Sequence, residues 1–199
     1  MRHTVDYYFA PNSPWTYLGH ARLAKMAAAR GATVRVLPVD LGDVFSTSGG
    51  LPLPKRAPQR QAYRLLELKR FSEALEMPLT VQPQFFPVAA DDAARLIVAA
   101  DMAKGSNAAM ALTGAIGAAV WVQERNIADT AVLGELLVEC GLDAGLLQRS
   151  QDADVQARYE QNTQAAKDAG VFGAPSYVVD GELFWGQDRL DFVKRRLHA

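Results

Sequence analysis

The chain has 199 residues, 49% apolar and 22% charged, with a formal net charge of −1. That length accommodates one well-buried domain, or a small domain carrying an insertion, and the near-neutral charge gives no reason to expect nucleic acid or an anionic membrane as partner. Cys140 is the single cysteine, so no intramolecular disulfide is possible; the apolar stretches are interrupted and no signal peptide is evident, and a reducing, cytoplasmic setting is expected.

Thr4 to Phe9 is β-branched and aromatic and is expected as a strand. Ser13 is a candidate N-cap and Pro14 a candidate first helical residue, where the missing N–H costs nothing. Trp15, Leu18, Gly19, Leu23, Met26 and Ala27 then recur at the spacing of one buried helix face. Arg22 interrupts that face, with its stem expected along the edge and its charge in water. Gly31 is the candidate C-cap, and Thr33 to Val39 is the next strand. Strand, helix and strand with short connections form a right-handed βαβ unit.

The Gly/Pro-rich passage Ser48 to Pro58 is expected as a mobile or ligand-covering loop. Helical patterns follow at Arg60 to Glu76, Asp91 to Met102, Ala108 to Arg125, Thr130 to Cys140 and Asp152 to Ala169; alanine-rich stretches favour helix and close helix packing. Cys140, at the end of one of them, is expected to be a structural thiol, and the three histidines show no metal-site spacing. Ser176 to Val179 and Glu182 to Trp185 flank Asp180-Gly181, a two-residue hairpin signal, before a last helix over Gln187 to Leu197.

This order predicts an α/β thioredoxin-like fold (βαβ…ββα) interrupted by an all-helical insertion, with residues 1–47 and 155–199 in the first part and 48–154 in the second. Thioredoxin-like enzymes start their first helix with Cys-x-x-Cys; here those positions are Ser13 and Thr16. Without thiols, disulfide exchange is disfavoured. Ala174-Pro175, directly before the hairpin, stands where the fold calls for a cis-proline whose preceding backbone pairs with an extended peptide. The alternative is a trans proline opening an edge strand.

Ser13-Pro14-Trp15-Thr16-Tyr17-Leu18-Gly19, Val171-Phe172-Gly173-Ala174-Pro175 and Phe184-Trp185-Gly186-Gln187-Asp188-Arg189-Leu190 together resemble 2-hydroxychromene-2-carboxylate isomerases, relatives of kappa-class glutathione transferases in the DsbA-like branch of the thioredoxin superfamily. The resemblance implies a glutathione cofactor, with Ser13 donating its hydroxyl to the glutathione sulfur and Ala174-Pro175 pairing with the peptide. It assigns Gln187 and Asp188 to the γ-glutamyl end, although relatives carry Asn-Asp or Ser-Asp there and Asp188 could instead cap the last helix. Arg60 stands where the family commonly has a lysine, three residues before Tyr63, with Lys55 as an alternative contact. Trp15, Tyr17, Phe85 and Phe86 are candidates for the substrate pocket, or simply core. The implied reaction is glutathione-dependent conversion of 2-hydroxychromene-2-carboxylate, or a related aromatic-pathway acid, to the trans-benzylidenepyruvate. The alternatives are a kappa-like transferase that retains the glutathione adduct and a non-catalytic glutathione- or peptide-binding module. A homodimer and a small aromatic substrate are the implied partners, with no metal.

Overall fold

Residues 3–198 are described by a computed structural model. In chain order the elements are β1 (Thr4–Phe9), α1 (Pro14–Arg30), β2 (Thr33–Pro38), α2 (Leu41–Ser48), α3 (Pro58–Ala74), α4 (Asp91–Lys104), α5 (Ser106–Trp121), α6 (Thr130–Glu139), α7 (Leu146–Arg149), α8 (Ala153–Asp168), β3 (Ser176–Val179), β4 (Glu182–Trp185) and α9 (Leu190–Arg196), with 3₁₀ turns at Leu53–Lys55 and Gln187–Arg189. The strands form one sheet in the order β2-β1-β3-β4, with β1 and β2 parallel and the other pairings antiparallel.

Local chemistry explains most of these boundaries. Ser13 caps α1, its Oγ accepting the Thr16 N–H at 3.3 Å, and Pro14 is the first helical residue. Gly31 ends α1 at φ 60°, a left-handed conformation that glycine adopts without the steric penalty of a Cβ. Asp180 and Gly181, at φ 50° and 80°, make the two-residue turn between β3 and β4. Residues 41–48, outside the expected helices, form α2: the Asp40 carboxylate accepts the Gly42 and Asp43 N–H groups, Leu41, Val44 and Phe45 recur at helical spacing, and Val44 is fully buried.

The two faces of the sheet bury different partners. Val5, Tyr7 and Phe9 of β1 with Tyr177 and Val179 of β3 point into the larger core, shared with Leu23 of α1, Ile97 of α4, Leu112 and Ile116 of α5 and Val193 of α9. Tyr8, Val178 and Leu37 point the other way, onto Val44 of α2 and Ala166 of α8. Alternate residues along a strand face opposite sides, so one sheet serves two cores. α4 buries seven consecutive or near-consecutive small and apolar residues from Ala93 to Ala100, as a helix enclosed by others must. One face of the sheet and the helical block therefore share the larger core, and α8 begins at Ala153, so a domain boundary after 154 falls in its first turn.

His20 is buried in this core between Tyr7 and α5. Its Nε2 lies 2.9 Å from the Met110 carbonyl, which can only accept, so Nε2 carries the proton and Nδ1 faces the Tyr7 hydroxyl at 3.3 Å. Burial, opposed by the Met110 carbonyl, lowers its pKa to about 4. The unfolded chain, with an ordinary histidine near 6.5, binds the extra proton between those values, so acidification from about pH 6.5 to 4 removes roughly 3 kcal/mol of stability. Thermal melts over that range are expected to show a steeper decline for the native chain than for His20→Gln; parallel profiles would contradict it.

Candidate active site

A cleft of about 640 Å³ opens between the start of α1, α3 and the loops flanking the β3–β4 hairpin. Trp15, in the first turn of α1, lines one side and meets Phe71 of α3 edge-on, with ring centroids 5.9 Å apart. The amide of Asn12 donates to the Val88 carbonyl at 2.8 Å, tying the turn before Ser13 to the segment that enters α4. Ser13 is partly buried at the helix start but is not among the residues lining the cleft.

The hairpin side is built around Ala174-Pro175, whose peptide bond is cis. Ser176 Oγ donates to the Gly173 carbonyl at 2.8 Å, and the Pro175 carbonyl accepts from Gly186 N–H at 2.9 Å. Ala174 lines the cleft, and its N–H and C=O make no hydrogen bond to the described residues. A backbone unit left open in this way can take an extended peptide as one more strand.

Beyond the hairpin, Gly186 holds φ 106°, and a Cβ there would lie 2.5 Å from Asp188 Oδ1. The Asp188 carboxylate stays accessible, paired with Arg189 at 2.6 Å. Gln187 behaves differently from its neighbour. It is 2% exposed, and the Arg22 guanidinium donates to both its backbone carbonyl, at 2.8 Å, and its side-chain Oε1. Arg22 therefore does not leave its charge in water: it pins the turn that carries Asp188, and the Gln187 amide oxygen is committed to it.

The third wall is α3, of which only Leu68 is buried. Arg60, Arg64, Glu67 and Phe71 lie on its cleft-facing side, with Arg56 just before the helix. Arg56 is partly buried and donates to the Leu51 carbonyl at 2.8 Å. Lys55 is exposed and outside the cleft lining. Glu67 pairs with Arg70 at 2.7 Å, and with Asp188 on Arg189 the cleft keeps an excess of cations along α3.

Of the aromatic candidates, Trp15 alone lines this cleft. Tyr17 donates its hydroxyl to the Pro78 carbonyl at 2.7 Å and lines a separate cavity of about 70 Å³ with His20 and Gly117. Phe86 packs on Trp121 with centroids 4.7 Å apart, beneath Arg64, while Phe85 is partly buried outside the cleft lining. Trp185, within the last motif but given no role there, lines the cleft, as do Arg56, Arg64 and Phe71, which lie outside the motifs; the spacing 60, 64, 67, 71 is a helical stripe that marks three of the lining residues around Arg60.

The profile of the DsbA-like thioredoxin domain matches residues 4–198. The chain belongs to this DsbA-like family. It is 30% identical to a 2-hydroxychromene-2-carboxylate isomerase of Sphingobium xenophagum over 199 residues, covering 99% of each chain, and so belongs with the isomerase branch. A glutathione S-transferase kappa 1 of Caenorhabditis elegans is 24% identical over 95% of this chain and 88% of its own. The solved structure of a 2-hydroxychromene-2-carboxylate isomerase superimposes with a TM-score of 0.83 at 25% identity, covering 98% of this chain and 94% of that one. Within the DsbA-like fold, this member lacks both cysteines of the helix-start motif and keeps the cis-proline loop.

Proposed function

We propose that the protein is a glutathione-dependent cis-trans isomerase acting on 2-hydroxychromene-2-carboxylate or a closely related aromatic-pathway acid. The observation that carries the reading is the open backbone of Ala174, which shares a cleft with Trp15 of a helix start that has Ser13 and Thr16 in place of cysteines. That arrangement is suited to bind a peptide-like thiol and unable to exchange disulfides. The residues present fit glutathione: a backbone edge for the peptide, the Asp188 carboxylate for its ammonium, and Arg60 on the cationic wall for a carboxylate.

Glutathione, when bound, supplies a thiolate whose reversible addition to the conjugated acid allows a single bond to rotate before it is released unchanged. Ser13 lowers the energy of the thiolate by donating its hydroxyl hydrogen, and the N-terminus of α1 adds roughly half a positive charge. Both act on a group whose free pKa is about 8.5. Trp15 and Phe71 give the planar acid an apolar wall. In this reading residues 1–47 and 155–199 hold the cofactor, the insertion of residues 48–154 shapes the substrate side, and the protein works as a cytoplasmic homodimer.

The kappa relative supports a second reading, in which the same thiolate is consumed in a conjugate. Ultraviolet monitoring of hydroxychromene carboxylate with and without glutathione separates the two. The isomerase reading expects conversion only with glutathione and an unchanged total of free glutathione; stoichiometric conjugate would favour the transferase. Binding alone is expected to raise the melting temperature at millimolar glutathione, and no shift would defeat both.

A further inference from the structure

Arg64 is the one partly buried arginine among the described residues without an oxygen partner. Arg22, Arg56, Arg95, Arg125, Arg149 and Arg196 each meet a carbonyl, amide or carboxylate oxygen. Arg64 instead lies over two aromatic rings, its guanidinium carbon 5.1 Å from the Phe86 centroid and 5.9 Å from that of Trp121. The two acids of the cleft lining, Glu67 and Asp188, pair with Arg70 and Arg189. Burial, with the neighbouring charge of Arg56, lowers the Arg64 pKa to about 10, and no acid raises it back. It remains a cation at neutral pH.

A desolvated charge without a partner is costly, and cation–π contact offsets only part of that cost. Such contact uses the rings and leaves guanidinium N–H groups for the cleft, where their fork matches a carboxylate. We propose that Arg64 receives the carboxylate of the second, organic ligand and restricts this site to planar aryl acids, which Trp15 and Phe71 flank on the same cleft. This deepens the isomerase reading and rests on it for the identity of the physiological acid. Arg60, one turn earlier, remains with the cofactor.

The test is binding rather than turnover. Tryptophan fluorescence titrations with trans-2-hydroxycinnamate, its methyl ester and glutathione would be run on the native chain, Arg64→Met and Arg64→Lys. The native chain is expected to prefer the acid over the ester by about 10- to 100-fold, from a charge-assisted hydrogen-bonded pair. Arg64→Met is expected to abolish that preference and Arg64→Lys to retain part of it, with ester and glutathione affinities changed about twofold or less. The melting temperature of Arg64→Met is expected to hold or rise, because an unpaired charge leaves an apolar nest.

A native chain without acid preference, or a preference that survives in Arg64→Met, would overturn the proposal. Loss of glutathione affinity with the acid unaffected would do the same, moving Arg64 to the cofactor. Equal loss of acid and ester with a lowered melting temperature would make Arg64 structural. Failure of the isomerase assay with the acid preference intact would defeat the reading of the reaction and leave Arg64 as a carboxylate site.

Discussion

Ser13→Ala is expected to lower turnover about 10- to 100-fold at saturating glutathione while changing glutathione affinity about twofold or less. The magnitude is that of one hydrogen bond to a charged acceptor, roughly 1.5–3 kcal/mol. Capping does not compete with that role. Ser13 Oγ accepts the Thr16 N–H with a lone pair, at 3.3 Å, and its hydroxyl hydrogen is still available to donate. The substitution also removes the cap, which costs about 1 kcal/mol. Ser13→Asn separates the two effects, since asparagine caps well but has no hydroxyl: stability is expected to hold while turnover falls. The pH titration of thiolate absorbance in the glutathione complex is expected to move upward in both variants. Equal loss of turnover and affinity in Ser13→Ala would reduce Ser13 to a binding group.

Gly19→Ala is expected to destabilise the protein by about 1–3 kcal/mol, although alanine is the better helix former by about 1 kcal/mol. The sign is decided by what a Cβ would meet: the Tyr177 hydroxyl at 2.8 Å and the Gln187 Cβ at 3.0 Å. Tyr177 is fully buried against Tyr7, with ring centroids 5.6 Å apart, and Gln187 is tied to Arg22, so neither has an easy retreat. The expected fall in melting temperature is about 2–4 °C for each kcal/mol in a chain of this size. Because α1 would push on the turn that carries Asp188, the KM for glutathione is expected to rise about five- to tenfold. A variant more stable than the native chain would show that the turn yields.

Legibility along the chain followed how local the deciding interactions are. The Asp180-Gly181 hairpin, the Ser13-Pro14 helix start and the Gly31 stop each depend on a residue and its neighbours within one turn, and all could be read directly. The helical block was readable from its alanine content and periodicity, to within a few residues at each end. α2 has local signals too, the Asp40 cap and the spacing of Leu41, Val44 and Phe45, but eight residues make a marginal helix alone, and what secures it is Val44 reaching a core on the far side of the sheet. Gln187 and Asp188 are adjacent polar residues that both border the cleft, yet Gln187 is buried and committed to Arg22 while the Asp188 carboxylate stays accessible. No local pattern distinguishes them, since the partner is 165 positions away.

By itself the sequence determined that this chain forms a thioredoxin-like α/β domain with helices inserted, that its helix start cannot perform disulfide exchange, and that its motifs are those of the isomerase branch. Those conclusions rest on periodicity, caps and residue identity, which act over a few positions. Tertiary structure alone decided which cations and aromatics share the cleft, and it left Arg64 on Phe86 and Trp121 without an acid. The physical reason is that desolvation and partnering depend on distances between segments far apart in the chain, and only packing sets those distances.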